Sequence, residues 1–171
     1  MNWRLVRTII VLPGTVLVFV PAAIMWISGH WKCIPEPAAP GQLLFWLALL
    51  AASIGLGLSI WSVTLFMKFG EGTPAPWDPP KKLVIRGPYR YVRNPMIIGV
   101  LLMLLAEAML FQSWPTAVWM MVFFIGNAIY FPFVEETGLE KRFGDDYREY
   151  KTNVRCWIPR LRAWSGSDRA G

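Results

Sequence analysis

Two adjacent carboxylates, Glu135 and Glu136, close a long uncharged run that begins at Ala108. Upstream lies a segment dense in arginine, tyrosine, glycine and proline: Arg86-Gly87-Pro88-Tyr89-Arg90-Tyr91-Val92-Arg93-Asn94-Pro95. A carboxylate can bind an ammonium group or ribose hydroxyls, and exposed loop amides can take a ligand carboxylate. Together the two features suit a small cationic or zwitterionic ligand. The same residues allow a plainer arrangement, in which Glu135 and Glu136 pair with Arg90 or Arg93. A third carboxylate, Glu107, stands alone between two uncharged runs, either lining a functional site or bonded to Asn127. Metal chemistry is not indicated: the single histidine, His30, and the two cysteines, Cys33 and Cys156, do not form a zinc-ligand pattern.

These residues sit among elements suited to a bilayer. The chain is 55% hydrophobic and 16% charged, where soluble domains carry about 25% charged residues. Lys, Arg, Asp and Glu are missing from 8–31, 37–67, 94–106 and 108–134. Crossing ~30 Å of hydrocarbon takes about 20 apolar residues. The runs therefore predict membrane spans over 8–29, 40–67, 96–112 and 115–134, the second of them overlong. The last two form a helical hairpin joined by Gln112-Ser113-Trp114-Pro115, with the proline suited to a first helical turn. The first is too long for the apolar stretch of a secretory signal and is expected to be a mature helix. Trp26, Trp31 and Trp114, at span ends, read as interfacial tryptophans. Gly55 and Gly57 read as small residues that let membrane helices approach closely.

Charge orients the chain. Arg4 and Arg7 precede the first span, and the loop after it has only Lys32, against Glu36. The 68–94 loop carries Lys68, Lys81, Lys82, Arg86, Arg90 and Arg93, and eight further Lys or Arg follow Val134. Positive residues collect on the cytoplasmic face, so both termini and the 68–94 loop are expected there. The net charge of +6 is then a topology signal. The charges flank spans rather than forming one stripe, which argues against nucleic acid as a partner.

The 68–94 loop opens with glycines and prolines that exclude helix, passes through a short extended stretch at Lys81–Ile85, turns at Arg86–Tyr89, and enters the third span with Asn94 as N-cap and Pro95 at the first helical position. A loop this long is either functional or disordered, and its density of Gly, Pro, Tyr and Arg favours an ordered, functional one. After Glu136, Leu139, Phe143, Tyr147, Tyr150 and Val154 recur on one helical face, with charged residues opposite and Gly144 as a weak point. This predicts an amphipathic helix lying at the cytosolic interface, ended by Trp157-Ile158-Pro159. The expected fold is all-α: an integral membrane protein of about four transmembrane helices, with a C-terminal helical hairpin, a structured cytosolic loop and an interfacial amphipathic C-terminal helix.

Gly87-Pro88-Tyr89-Arg90-Tyr91-Val92-Arg93-Asn94-Pro95 followed by Gly99, then Glu135-Glu136, then Phe143-Gly144-Asp145-Asp146-Tyr147 with Tyr150, and finally Ile158-Pro159, resemble in order and separation the isoprenylcysteine carboxyl methyltransferase family, which is related to membrane phospholipid methyltransferases. The resemblance covers about 68–160. It implies a catalytic region over 68–162; the apolar runs add an N-terminal transmembrane hairpin over 1–67, and composition a disordered tail over 163–171. It implies S-adenosyl-L-methionine as cofactor, held by Lys81, Lys82, Leu83, Val84, Tyr89, Asn94, Pro95, Met96, Ile97 and Glu135. Asn94 stands where the family usually has histidine, and Ile97 where it usually has tyrosine. Asn94 can still donate and accept hydrogen bonds but cannot titrate.

Methyl transfer from a sulfonium needs alignment and exclusion of water, with no acid for the neutral leaving thioether. A carboxylate or thiolate acceptor needs no base. An amine acceptor would need one, from Glu136 or Tyr91, so O- or S-methylation is favoured. Asn94, Glu136 and Tyr91 are the candidate catalytic residues. Glu107, Asn127 and Tyr130 are the candidates for lining the path of a lipophilic acceptor entering from the bilayer. Three rivals stand beside this reading: a phospholipid N-methyltransferase, a membrane sterol-type reductase using NADPH, and a non-catalytic membrane scaffold.

Overall fold

The computed structural model describes residues 13–27, 36–71 and 80–165. Arg4, Arg7, His30, Trp31, Lys32, Cys33, the 72–79 part of the loop and the 166–171 part of the tail lie outside the described residues. The described residues form helices and no strands. A π-helical turn, Thr15–Phe19, leads into α1, Val20–Ile27. Then come α2, Leu43–Phe69; a 3-10 turn, Gly87–Arg90; α3, Pro95–Leu110; α4, Trp114–Tyr130; a second π turn, Phe131–Glu135; and α5, Glu136–Asn153.

Two helical runs are long and apolar enough to cross a membrane: Leu43–Phe69 and the continuous run Trp114–Asn153. The 27 residues of α2 extend for roughly 40 Å, the overlong helix expected. Thr15–Ile27 and Pro95–Leu110 are shorter apolar helices. No loop separates the fourth expected span from the helix after it. Pro132 lacks an N–H, and the chain absorbs the missing bond by widening into a π turn, in which the Glu136 N–H donates to Phe131 O.

The chain divides into two compact units, to which α2, α3 and α4 each contribute. The first comprises 1–57 and 99–125. In it a Cβ on Gly55 would lie 2.6 Å from Gly99 O, so glycine is required where α2 and α3 meet. Gly57, predicted to act likewise, has nothing near it. The Ala38 N–H donates to Leu110 O at 2.8 Å, and Trp119 Nε1 donates to Val16 O at 3.1 Å. Ser113 caps α4: its Oγ accepts the Thr116 backbone N–H at 3.4 Å and the Thr116 hydroxyl at 2.9 Å.

The second unit comprises 58–98 and 126–171 and holds the loop, the carboxylates and α5. Its core is Tyr147, Tyr150 and Val154, packed by Leu83, Ile85, Leu139, Phe143 and Trp164. The apolar face of α5, expected at a membrane interface, is therefore covered by protein: it clamps the Lys81–Ile85 stretch. Trp164, inside the tail expected to be disordered from residue 163, is fixed by its N–H donating to Arg90 O at 3.0 Å and by its ring 5.7 Å from that of Tyr150.

Gly144 breaks α5 with φ 57° and ψ −128°, as its place in the sequence suggested. The break has a consequence. In a straight helix Glu136 and Lys151 would be roughly 22 Å apart, yet Lys151 Nζ lies 2.8 Å from Glu136 Oε2 and 2.7 Å from Glu140 Oε1. The backbone at Gly144 folds the last turns back on the first.

Candidate functional site

The loop is anchored from several sides within the second unit. Gly70 O accepts from the N–H groups of Lys81 and Lys82 at 2.8 and 3.2 Å. The left-handed Gly87, φ 55°, presses on α2: a Cβ there would lie 2.8 Å from Leu65 Cδ1 and 3.0 Å from Trp61. Position 87 therefore needs glycine for its backbone and for space. Tyr89 is buried, its ring 5.2 Å from Phe66, and its carbonyl accepts the Tyr150 hydroxyl at 2.7 Å. Burial pushes the Tyr89 and Tyr150 phenols upward, so both stay protonated. The structure makes Tyr89, which the resemblance placed among the cofactor residues, a packing residue of the loop. Arg93 N–H donates to Arg155 O, and Arg160 N–H to Tyr91 O, tying the loop to the chain after α5.

Glu135 and Glu136 do not act as a pair. Neighbours on a helix diverge by about 100°, and here the two carboxylates enter different surroundings. Glu136 is buried, with Arg93 Nη1 at 2.5 Å and Lys151 Nζ at 2.8 Å. The plainer arrangement considered for both carboxylates holds for Glu136 with Arg93. Its two carboxylate oxygens are each engaged by a cation. The ion pair with Glu136, followed by that with Glu140, raises the Lys151 ammonium pKa. Two buried donors beside this pair, Arg93 Nε and the Tyr147 hydroxyl, make no hydrogen bond among the described residues.

Glu135 is half-buried and makes no hydrogen bond or ion pair among the described residues. It follows Val134, the last residue of the uncharged run, and burial pushes its carboxyl up, with Arg142 pulling the other way. Arg142 lies two turns along α5 on the same helical face and donates to Pro80 O at 3.0 Å. Glu135 thus faces the end of the helix that reaches the loop. Arg142 was not among the expected site residues; its spacing of seven from Glu135 was the available signal.

Asn94 is buried at the cap position of α3, and its amide nitrogen donates to Cys156 Sγ at 3.3 Å. Burial raises the Cys156 thiol pKa. Pro95 is fully buried, and Met96 and Ile97 are partly so. Tyr91 is exposed. Lys81 and Lys82 are exposed, Lys82 pairing with Glu71 at 2.5 Å, while Val84 is buried and Leu83 belongs to the Tyr147 core. Of the acceptor-path candidates, Glu107 lies on α3 in the first unit, and Asn127 and Tyr130 on α4 in the second. No group of ligands fit for a metal ion occurs among the described residues.

Fold and site define a helical protein with bilayer-length helices and a polar, loop-bound carboxylate site. The family model described as phospholipid methyltransferase matches residues 43–146, and the chain belongs to that family of membrane methyltransferases, which includes the isoprenylcysteine carboxyl methyltransferases. No curated protein and no solved structure matches the chain.

Proposed function

We propose that the protein is an S-adenosylmethionine-dependent methyltransferase that spans the membrane and acts on a lipophilic carboxylate or thiolate of the isoprenylcysteine kind. Glu135 carries this reading. Burial raises the free energy of its carboxylate, and it lacks a partner of its own among the described residues. A sulfonium or ammonium beside it offsets that desolvation, and ribose hydroxyls can donate to it, so the donor set fits the cofactor. Bound there, S-adenosylmethionine supplies a methyl whose bond to sulfur breaks as the bond to the acceptor forms, leaving a neutral thioether.

The chain's own residues bind and orient. Glu135 holds the cationic part, and Arg142 fixes that helical face against the loop at Pro80. Lys81–Val84, Tyr89 and Asn94–Ile97 shape the loop side, and Tyr91 remains the exposed hydroxyl. Glu136 locks Arg93 and Lys151 in place. With Glu136 engaged, an acceptor already anionic is favoured, since it needs no base. Glu107, Asn127 and Tyr130 are assigned to the acceptor path, and the loop and both termini to the cytosol. The family's description supports a second reading, a phospholipid amine as acceptor, which would need a base such as Tyr91.

The test is a titration of the reconstituted protein with S-adenosylhomocysteine and, separately, with NADPH. Saturable binding of the first, weakened about tenfold or more by Glu135→Gln, is expected. Binding of NADPH alone would replace the reading by a reductase. Methyl transfer to a prenylated cysteine carboxylate, and not to phosphatidylethanolamine, selects the first acceptor class.

A further inference from the structure

The chain after α5 does not end as a loose tail. From Val154 to Trp164 it runs along the loop as a strap. Arg93 N–H donates to Arg155 O at 3.0 Å, Arg160 N–H to Tyr91 O at 2.9 Å, and Trp164 N–H to Arg90 O at 3.0 Å. Arg90 Nε returns a bond to Trp164 O at 2.7 Å, and the Arg160 guanidinium donates to Asn153 O. The strap is thus held at both ends and in the middle. Its inward side chain, Val154, is 1% exposed.

Its outward side chains are of an unexpected kind. Leu161 is 101% exposed and Ile158 60% exposed, although the backbone that carries them is fixed. Leu161 stands between Arg160 and Arg162, and Arg155 lies three residues before Ile158. Arg155 and Arg162 are exposed, and neither side chain has a hydrogen bond or ion pair among the described residues. Exposed aliphatic side chains on a fixed backbone, interspersed with the unpaired cations of Arg155 and Arg162, are costly against water alone. They match the boundary of an anionic bilayer, where apolar groups enter the headgroup region and guanidiniums meet phosphate. The strap is also placed for it. The Trp157 ring packs 6.3 Å from that of Phe131, within the apolar run that ends at Val134. Phe133 and Val134, at the end of that run, are exposed as well.

We propose that the strap 154–164 is a membrane-surface anchor: Ile158 and Leu161 enter the headgroup region of the bilayer, and Arg155 and Arg162 bind anionic phospholipid headgroups there. The inference rests on the membrane-spanning reading above. Through its bonds to Arg90, Tyr91 and Arg93, an anchored strap fixes the loop at the depth where a lipophilic acceptor would present its polar end.

The test places one nitroxide at a time on the full chain in a Cys33→Ala/Cys156→Ser background, at Leu161→Cys, Leu50→Cys or Asp146→Cys, in nanodiscs of phosphatidylcholine with or without phosphatidylglycerol. Accessibility to oxygen and to a water-soluble nickel chelate reads the depth of each label. Label 161 is expected in the headgroup region when phosphatidylglycerol is present, with label 146 in water and label 50 deep. Arg155→Glu/Arg162→Glu should return label 161 to water, each arginine weighing about fivefold in the bound population. Label 161 in water while label 50 is deep overturns the anchor and leaves the spanning helices standing. Equal insertion with and without phosphatidylglycerol overturns the assignment to anionic lipid. Labels 50 and 161 both in water would sink the membrane reading and the anchor together.

Discussion

The Tyr150 hydroxyl donates to the backbone carbonyl of Tyr89 at 2.7 Å, across 61 residues of chain. This buried bond joins the second half of α5, after its break, to the Gly87–Arg90 turn near the end of the loop. Tyr150→Phe leaves the Tyr89 carbonyl unsatisfied in the core. It should cost about 1–3 kcal/mol in reversible unfolding, since the whole desolvation of the carbonyl is then uncompensated. Tyr89→Phe, which retains that carbonyl and the ring packed on Phe66, should cost less.

Glu135→Gln separates ligand binding from stability. The folded carboxyl is raised above its unfolded value by burial. Its favourable contribution is therefore present at low pH and is lost as pH rises through the folded value. The ligand-free Glu135→Gln protein should melt higher than the parent at neutral pH, with the gap closing toward the acid end. The same variant should bind S-adenosylhomocysteine more weakly. Glu140→Gln is the control for both measurements: its carboxylate is held by Lys151, and its pKa is shifted down rather than up. A parent and Glu135→Gln that melt alike at every pH would remove Glu135 from the role assigned here.

The Arg93–Glu136 pair should behave as structure. With side chains 10% and 3% exposed, removing one partner strands a buried charge. Glu136→Leu should cost about 3–5 kcal/mol in denaturant unfolding, and Arg93→Met with Glu136→Leu should recover a good part of that. A single Glu136→Leu that keeps full stability but loses all turnover would reinstate Glu136 as a catalytic group.

Two glycines with positive φ should differ in what a methyl group does. At Gly87 alanine meets both backbone strain and Leu65 Cδ1, whereas at Gly144 it meets strain with open space around it. Gly87→Ala should cost more, about 2–4 kcal/mol against about 1–2 kcal/mol for Gly144→Ala, read as shifts in melting temperature. Gly57→Ala, in a helix with nothing near it, should be neutral or stabilising.

Asn94 lies at the cap of α3 with its amide on Cys156 Sγ. If its carboxamide serves the cofactor, Asn94→Ser should keep the melting temperature and lose affinity for S-adenosylhomocysteine. Full affinity in Asn94→Ser would leave Asn94 as a cap alone. Cys156→Ala measured alone and with Asn94→Ala reports how far the sulfur contact couples to either property.

The sequence by itself determined the helical class and most helix positions, because apolar runs and their interruptions are local properties. The Gln112–Pro115 turn, the proline start of α3 and the weak point at Gly144 were legible for the same reason. So was the apolar face Leu139–Val154. What covers that face was not legible: periodicity reports that a face is buried, and only tertiary contact decides between lipid and the Lys81–Ile85 stretch. The carboxylates make the same point. Adjacency in sequence suggested a joint site, but the π turn at Pro132 and the rotation of a helix send Glu136 to Arg93 and leave Glu135 facing Arg142. The return of Lys151 to Glu136 depends on the backbone angles at Gly144, which place residues far apart in the chain within one ion pair. Local pattern set which residues could carry charge into the site; the long-range fold decided which of them remained free to use it.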